Sequence, residues 1–133
     1  MAVLPDMVGI YVRDMAASLQ FYRLLGLDIP PGADNAPYVD VITPNGYRIS
    51  WNTIEMMKGI YPDWEESPAG HRMTLAFKCD SPAEVDAVYA RMVQHGYEGR
   101  KAPWDAFWGQ HYAVVVDPDG NLVDLFAALP ASA

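Results

Sequence analysis

Cysteine is almost missing from this chain: Cys79 stands alone. No disulfide can form within the chain, which fits a reducing compartment such as the cytoplasm. Set in an apolar strand pattern, Cys79 reads as a core residue. Long apolar runs are missing too, and none approaches the roughly 20 residues that cross a bilayer. The opening Met1-Ala2-Val3-Leu4-Pro5-Asp6 has neither a basic start nor a long apolar stretch, so no secretion signal is expected. Basic residues are scarce, with 9 Lys plus Arg against 17 Asp plus Glu and a net charge of −8. That balance argues against nucleic acid as a partner. It suits a cationic small molecule, and it suits mere solubility equally well. There is also no glycine-rich phosphate loop, no Gly-x-Ser-x-Gly elbow and no Cys–His pairing with a credible context.

What the chain does contain is a repeated plan. Thr43-Pro44-Asn45-Gly46 and Asp117-Pro118-Asp119-Gly120 share one turn chemistry, with Pro second and Gly fourth, and Asp117 stands 74 positions after Thr43. An apolar run precedes each turn (residues 38–42 and 112–116), and an alternating strand follows each (residues 47–51 and 121–126). Upstream, Val8, Ile10 and Val12 alternate into Asp14, while Leu75, Phe77 and Cys79 alternate into Ser81, a shift of 67. Asp14 reads as the N-cap of a helix near 15–25 that buries Met15, Leu19, Tyr22 and Leu25 and stops at Gly26. Ser81 and Glu84 form a capping box around Pro82, opening a helix near 82–95 with Val85, Val88, Tyr89 and Met92 as its stripe and Gly96 as its stop. A strand–helix–hairpin module therefore occurs twice. The 133 residues have the size of one domain, whereas either half, at about 65 residues, would be marginal alone.

The run Val8-Gly9-Ile10-Tyr11-Val12-Arg13-Asp14, then Ser18, Phe21-Tyr22 and Leu25-Gly26-Leu27, resembles the opening of the vicinal oxygen chelate superfamily, which groups glyoxalases, extradiol dioxygenases and bleomycin-resistance proteins. Asp117-Pro118-Asp119-Gly120-Asn121 with Asp124-Leu125-Phe126 resembles its second signature. The resemblance implies an α+β fold of two tandem βαβββ modules, whose curved mixed sheets enclose a cavity, commonly completed in a homodimer. The modules would occupy about residues 1–60 and 71–133, with 53–70 as the connection. Enzymes of that family hold a divalent ion through His and Glu. The matching positions here are Met7, Ser50, Thr74 and Asp124, of which only Asp124 is a good oxygen ligand. No metal and no cofactor is therefore expected.

His71, His95 and His111 match no ligand motif. His95 sits at a helix C-terminus, where a cation is favoured. His71 reads as structural, and His111 lies next to the aromatic cluster Trp104, Phe107, Trp108 and Tyr112. A loop with large exposed aromatics is unusual; it could be a lid on the sheet or a stacking platform with Asp105 and Gln110 as polar neighbours. Tyr47, Trp51 and Trp64 add further rings. The 53–70 connection lacks clear periodicity, and Met56, Met57 and Trp64 suggest that it packs on something apolar.

The expected site is a cavity lined by Tyr38, Trp51, Trp104, Phe107, Trp108, His111, Tyr112 and Asp124, with Asp124 as polar anchor if residues 122, 124 and 126 face it. The expected function is that of a cytoplasmic, metal-free binding protein of the drug-binding branch, sequestering an aromatic natural product, in one version cationic. The alternative is an enzyme of the same superfamily, either a metal-dependent lyase, isomerase or dioxygenase or a metal-independent variant using Asp124 as base. The ligand's identity is not written in the sequence.

Overall fold

Backbone hydrogen bonds close both turns at the expected residues. Gly46 N–H donates to the Thr43 carbonyl at 2.8 Å, and Gly120 N–H to that of Asp117 at 3.0 Å. Both glycines adopt φ near +85°, which side-chain-bearing residues resist. The computed structural model describes residues 3–66 and 73–131, and the chain divides into two units, Met1–Pro68 and Ala69–Ala133.

The first unit runs β1 (Val8–Val12), α1 (Met15–Leu25), β2 (Tyr38–Ile42), β3 (Arg48–Thr53) and α2 (Ile54–Ile60). Its sheet has the order β1-β3-β2, with β1 parallel and β2 antiparallel to β3. The Asp14 carboxylate accepts the Ala17 N–H at 3.1 Å and caps α1. Leu19, Phe21, Tyr22 and Leu25 of α1 are buried, as are Ile10, Val12, Val39, Ile49 and Trp51 of the strands. Full burial of each large apolar side chain is worth about 1.5–3 kcal/mol, so this layer holds the unit together.

The second unit runs β4 (Leu75–Lys78), α3 (Pro82–Gln94), β5 (Glu98–Ala106), β6 (Gln110–Val116) and β7 (Leu122–Ala128), with the sheet order β4-β7-β6-β5. Ser81 caps α3 by accepting the Glu84 N–H at 3.2 Å, and the Glu84 carboxylate reaches back to the Asp80 N–H at 3.0 Å. Val85, Val88 and Met92 are buried, as are Ala113, Val115, Val123, Leu125 and Ala127. Cys79 is buried too, and burial pushes its thiol up to about 11, so it is an inert core residue.

The chain is thus α+β and has the fold of two βαβββ modules, with one local difference. In the second unit, a strand (β5) follows the helix. In the first, the corresponding stretch holds a 3-10 turn, Pro31–Ala33. Pro30 and Pro31 there have no amide hydrogen to donate to a ladder. The connection also differs from its expected irregular form. Thr53 accepts the Met56 N–H at 3.2 Å and starts α2, which buries only Met57. Farther on, the Trp64 ring lies 5.6 Å from that of Tyr11, and Arg13 pairs with Glu66. His71 lies outside the described residues.

Candidate functional site

Strand pairing decides which side chains share a face, because side chains alternate along each strand. In the second unit, Val123, Leu125 and Ala127 are buried on the α3 side, so Leu122, Asp124 and Phe126 stand on the opposite, open face. Tyr112 pairs with Phe126 and Trp104 with Tyr112, which brings the three onto that face as neighbours. Their rings form a row with Trp108. Trp108 to Tyr112 is 5.3 Å, Trp104 to Tyr112 is 5.6 Å, and Tyr112 to Phe126 is 6.1 Å in a nearly stacked pose. Trp108 is 47% exposed, and its indole N–H donates to Gln110 Oε1 at 2.8 Å.

Asp124 sits at the end of this row. Its Oδ2 accepts the Tyr112 hydroxyl at 2.5 Å and the Thr74 hydroxyl at 3.4 Å. Burial, reinforced by the bond to the Asp124 carboxylate, pushes the Tyr112 phenol up to about 12, so Tyr112 stays protonated and donating. Leu122, Phe126 and Thr74 are members of this face that the sequence-based site list leaves out. The alternation 122, 124, 126 on β7 was the available signal for Phe126.

Three expected lining residues stand elsewhere. His111 is the neighbour of Tyr112 on β6 and therefore points the other way, toward α3. There its Nε2 meets Asp86 Oδ1 at 2.6 Å, and its Nδ1 meets Asp105 Oδ1 at 2.7 Å. The bond to Asp86, then that to Asp105, raises the His111 pKa above its ordinary value. Asp105, read as a polar neighbour of the platform, is spent on this same pair. Trp51 is fully buried beneath α1, with its ring 5.4 Å from Tyr22, so it offers no face to a ligand. It pairs with Val39, whereas Tyr38 pairs with Asn52, which places Tyr38 and Trp51 on opposite faces of their sheet. Phe107, 98% exposed at the tip of the β5–β6 hairpin, does join the row, its ring 5.1 Å from that of Trp108. His95 donates its Nδ1–H to the Arg91 carbonyl at 2.8 Å, a helix-end role.

The first unit's open face has a different character. Arg48 bonds Asp40 at 2.5 Å and Asp6 at 3.0 Å, and the Tyr38 hydroxyl donates to Asp40 at 3.3 Å. A groove of about 630 Å³ elsewhere in this unit is lined by Asp14, Asp34, Thr53 and Glu55, among others. Asp14 and Thr53 are helix caps, and Asp34 pairs with Arg23 at 2.7 Å, so its polar walls already serve the fold.

The residues at the family's ligand positions do not fit a resident divalent ion. Met7 supplies a thioether. Ser50 is fully buried and accepts the Asn52 amide at 3.2 Å, and Thr74 is bonded to Asp124. One carboxylate with two hydroxyls is a poor set for a hard cation, which takes several anionic, imidazole or carbonyl ligands.

Comparison with known proteins settles the family. The model of the Glyoxalase/Bleomycin resistance protein/Dioxygenase superfamily matches residues 4–125, and the chain belongs to that superfamily. Among solved structures, a hypothetical protein from S. aureus superposes with a TM-score of 0.80 at 16% identity, covering 96% of each chain. A glyoxalase/bleomycin resistance protein/dioxygenase family enzyme from Burkholderia phytofirmans PsJN gives 0.78 at 24% identity, over 93% of this chain and 98% of its own. A glyoxalase/bleomycin resistance protein/dioxygenase from Nocardioides gives 0.76 at 23%, over 99% and 88%. At these identities the likeness is one of fold. No match was found among curated proteins.

Proposed function

We propose that this chain is a small-molecule binding protein that takes a planar aromatic ligand on the open face of its second module, without a resident metal. The observation that supports the reading is the row of Trp104, Trp108, Tyr112 and Phe126 running across three strands to one carboxylate. Trp104, Trp108 and Tyr112 meet edge to face, so a flat ligand would stack on one ring face and meet the others edge-on, and the carboxylate would fix its orientation. An enzymatic reading with Asp124 as general base is disfavoured by the same contacts. Two hydroxyls already occupy its Oδ2.

The test is tryptophan fluorescence of the purified protein during titration with planar tricyclic dyes, alongside elemental analysis of the same sample. Saturable quenching with no bound metal supports the reading. A stoichiometric divalent ion, or quenching by none of the dyes, overturns it. We also propose that the protein works as a homodimer in the cytoplasm, because open sheet edges invite a partner and the lone cysteine suits a reducing environment. Sedimentation as a monomer at micromolar concentration would contradict the first point, and fractionation of cells outside the cytoplasm the second.

A further inference from the structure

The two units differ at one sheet edge. In the second, β5 lies antiparallel along the outer edge of β6. The counterpart of β6 is β2, since Tyr38, Asp40 and Ile42 stand 74 positions before Tyr112, Val114 and Val116. The first unit has a 3-10 turn in place of β5, so β2 ends its sheet. The strands β1 and β4 end the opposite side of their sheets in both units alike. Only at β2 does one unit lack a strand that the other has.

The β2–β3 ladder fixes which backbone groups face that edge. Thr43 N–H donates to the Tyr47 carbonyl at 2.8 Å, and Thr53 N–H to that of Pro37 at 3.0 Å. Hydrogen-bonded pairs alternate along an antiparallel ladder. Val39 and Val41 therefore face β3, whereas Tyr38, Asp40 and Ile42 turn their N–H and C=O groups outward. No backbone bond among the described residues reaches those outward groups. Ile42 is 71% exposed and Tyr38 37%. Free edges are commonly blunted by bulges, prolines or lysines. The outermost strand of the second sheet, β5, has all three: two register shifts, Pro103 and Lys101. The register of β2 is unbroken, and it has neither Pro nor Lys.

Charge selects the occupant. A second copy, paired antiparallel through all three outward residues, would set Asp40 directly across from the same carboxylate of the other chain. Each chain also carries a net charge of −8, and like charges directly opposite destabilise a ladder. In the second unit the edge strand places Trp104 across from Tyr112 and Lys101 across from Val114, the counterparts of Tyr38 and Asp40. A strand of that kind on β2 would lay a ring against Tyr38 and an ammonium beside Asp40.

We propose that the outer edge of β2 takes an extended basic segment of another protein, which pairs antiparallel and presents an aromatic residue to Tyr38, a Lys or Arg to Asp40 and a β-branched residue to Ile42. Main-chain bonds supply the affinity, and the three side chains the selectivity. This edge belongs to the first unit, so nothing here rests on the aromatic face of the second, and a homodimer would use other edges.

Capped heptapeptides test it on the whole protein. The parent is acetyl-Thr-Val-Thr-Lys-Thr-Trp-Thr-amide, whose Val, Lys and Trp meet Ile42, Asp40 and Tyr38. In one derivative those three residues are N-methylated, which removes the amides that face β2. In the other the two Thr residues between them are N-methylated, which removes amides that face solvent. When the parent binds, the amides of Tyr38, Asp40 and Ile42 should gain protection from hydrogen exchange, read by NMR. The first derivative should bind at least about tenfold more weakly than the parent, because three hydrogen bonds are lost, and the second within about threefold. Glu in place of the peptide's Lys should weaken binding about three- to tenfold, and less in added salt. Ile42→Pro removes an outward donor but no rung of the β2–β3 ladder, so it should keep the fold and lose at least about tenfold in affinity. If that variant fails to fold, the two N-methylated peptides decide. Equal affinity of the two derivatives, no binding of the parent, or protection at other amides overturns the proposal. So does a dimer that Ile42→Pro converts to a monomer, which would give the edge to a second copy. Dye binding by the second unit is read separately, and none of these results alters it.

Discussion

On the first sheet's open face, Arg48 is bonded to Asp40 and Asp6, Tyr38 leans on Asp40, and Asn52 bonds Ser50. On the second, the equivalent hairpin strands carry Tyr112, Asp124 and Phe126, and one oxygen of the Asp124 carboxylate has no donor among the described residues. The two units use the same turn chemistry, capped helices and parallel-plus-antiparallel strand pairing. The scaffold therefore does not distinguish them. The side chains at alternate strand positions do: the first face satisfies its charges internally, and the second leaves aromatic surface and charge to be satisfied by something else. Burial and hydrogen bonding hold the repeated frame constant while the side chains on the two open faces differ.

The most severe test of this contrast compares two tryptophans. Trp51 lies at the bottom of the first unit's core, so Trp51→Ala should lose about 3–5 kcal/mol of stability. That is a large share of the roughly 5–15 kcal/mol a domain possesses. Urea unfolding followed by circular dichroism reads this directly. A stable Trp51→Ala variant that had lost ligand binding would reverse the roles assigned to the two units.

Trp108→Ala is the counterpart. Half exposed and standing on the open face, it should leave stability within about 1 kcal/mol. It should weaken binding of a planar tricyclic dye about ten- to hundredfold, because ring stacking is worth about 1–3 kcal/mol by truncation. Unchanged affinity would move the site off the second face. A Tm drop as large as that of Trp51→Ala would make Trp108 a core residue.

The glycines sharpen the same comparison on a smaller scale. A Cβ at Gly99 would run into the Tyr89 hydroxyl and its ring carbon at 2.7 Å, inside the second unit's α3–β5 packing. Gly99→Ala should therefore destabilise by about 1–3 kcal/mol, in the range of overpacking. A Cβ at Gly9 would meet only Ser50 Oγ at 3.2 Å and Asn52 Nδ2 at 3.4 Å, on the first unit's open face. A small rotation of either side chain relieves that contact, so Gly9→Ala should change stability by less than about 0.5 kcal/mol. Thermal denaturation of the pair checks the order, which a larger loss at Gly9 would invert.

The frame was legible in the sequence because its signals are local. Pro and Gly at set places define both turns, and Asp14, Ser81, Gly26 and Gly96 mark helix ends within one or two residues. A strand between helix and hairpin was implied only by the βαβββ modules of the family resemblance, and in the first unit Pro30 and Pro31 were the local signals against it. Helix α2 left a fainter trace, since it buries one side chain and so shows no stripe. The face was legible only in part. Alternation along a strand reports which residues share a side but not which side meets the helix. That phase had to be assumed separately on each strand. It was consistent for Trp104, Tyr112 and Asp124. It slipped by one residue at Trp51 and at His111, which is why a core tryptophan and a helix-side histidine entered one list with residues of the open face.

The smallest expected effect lies behind the aromatic row, where His111 joins α3 to the β5–β6 hairpin through Asp86 and Asp105. The doubly protonated ring can donate to both carboxylates at once, while the neutral ring can donate to only one. Both partners therefore favour the cation, and the pKa of His111 is raised in the folded chain, first by Asp86 and then by Asp105. A group whose pKa rises on folding contributes stability that is fully present below its unfolded pKa, about 6.5. That contribution is lost as pH climbs through the higher folded value. Wild-type stability should therefore decline over that window, and His111→Gln, which has no charge to lose, should show a flatter profile there. Because the carboxylates are mostly exposed, the difference should be modest and should shrink with salt. Chemical denaturation at a series of pH values, wild type against variant, measures it. Parallel profiles would mean that the bonds of His111 to Asp86 and Asp105 carry no energetic consequence.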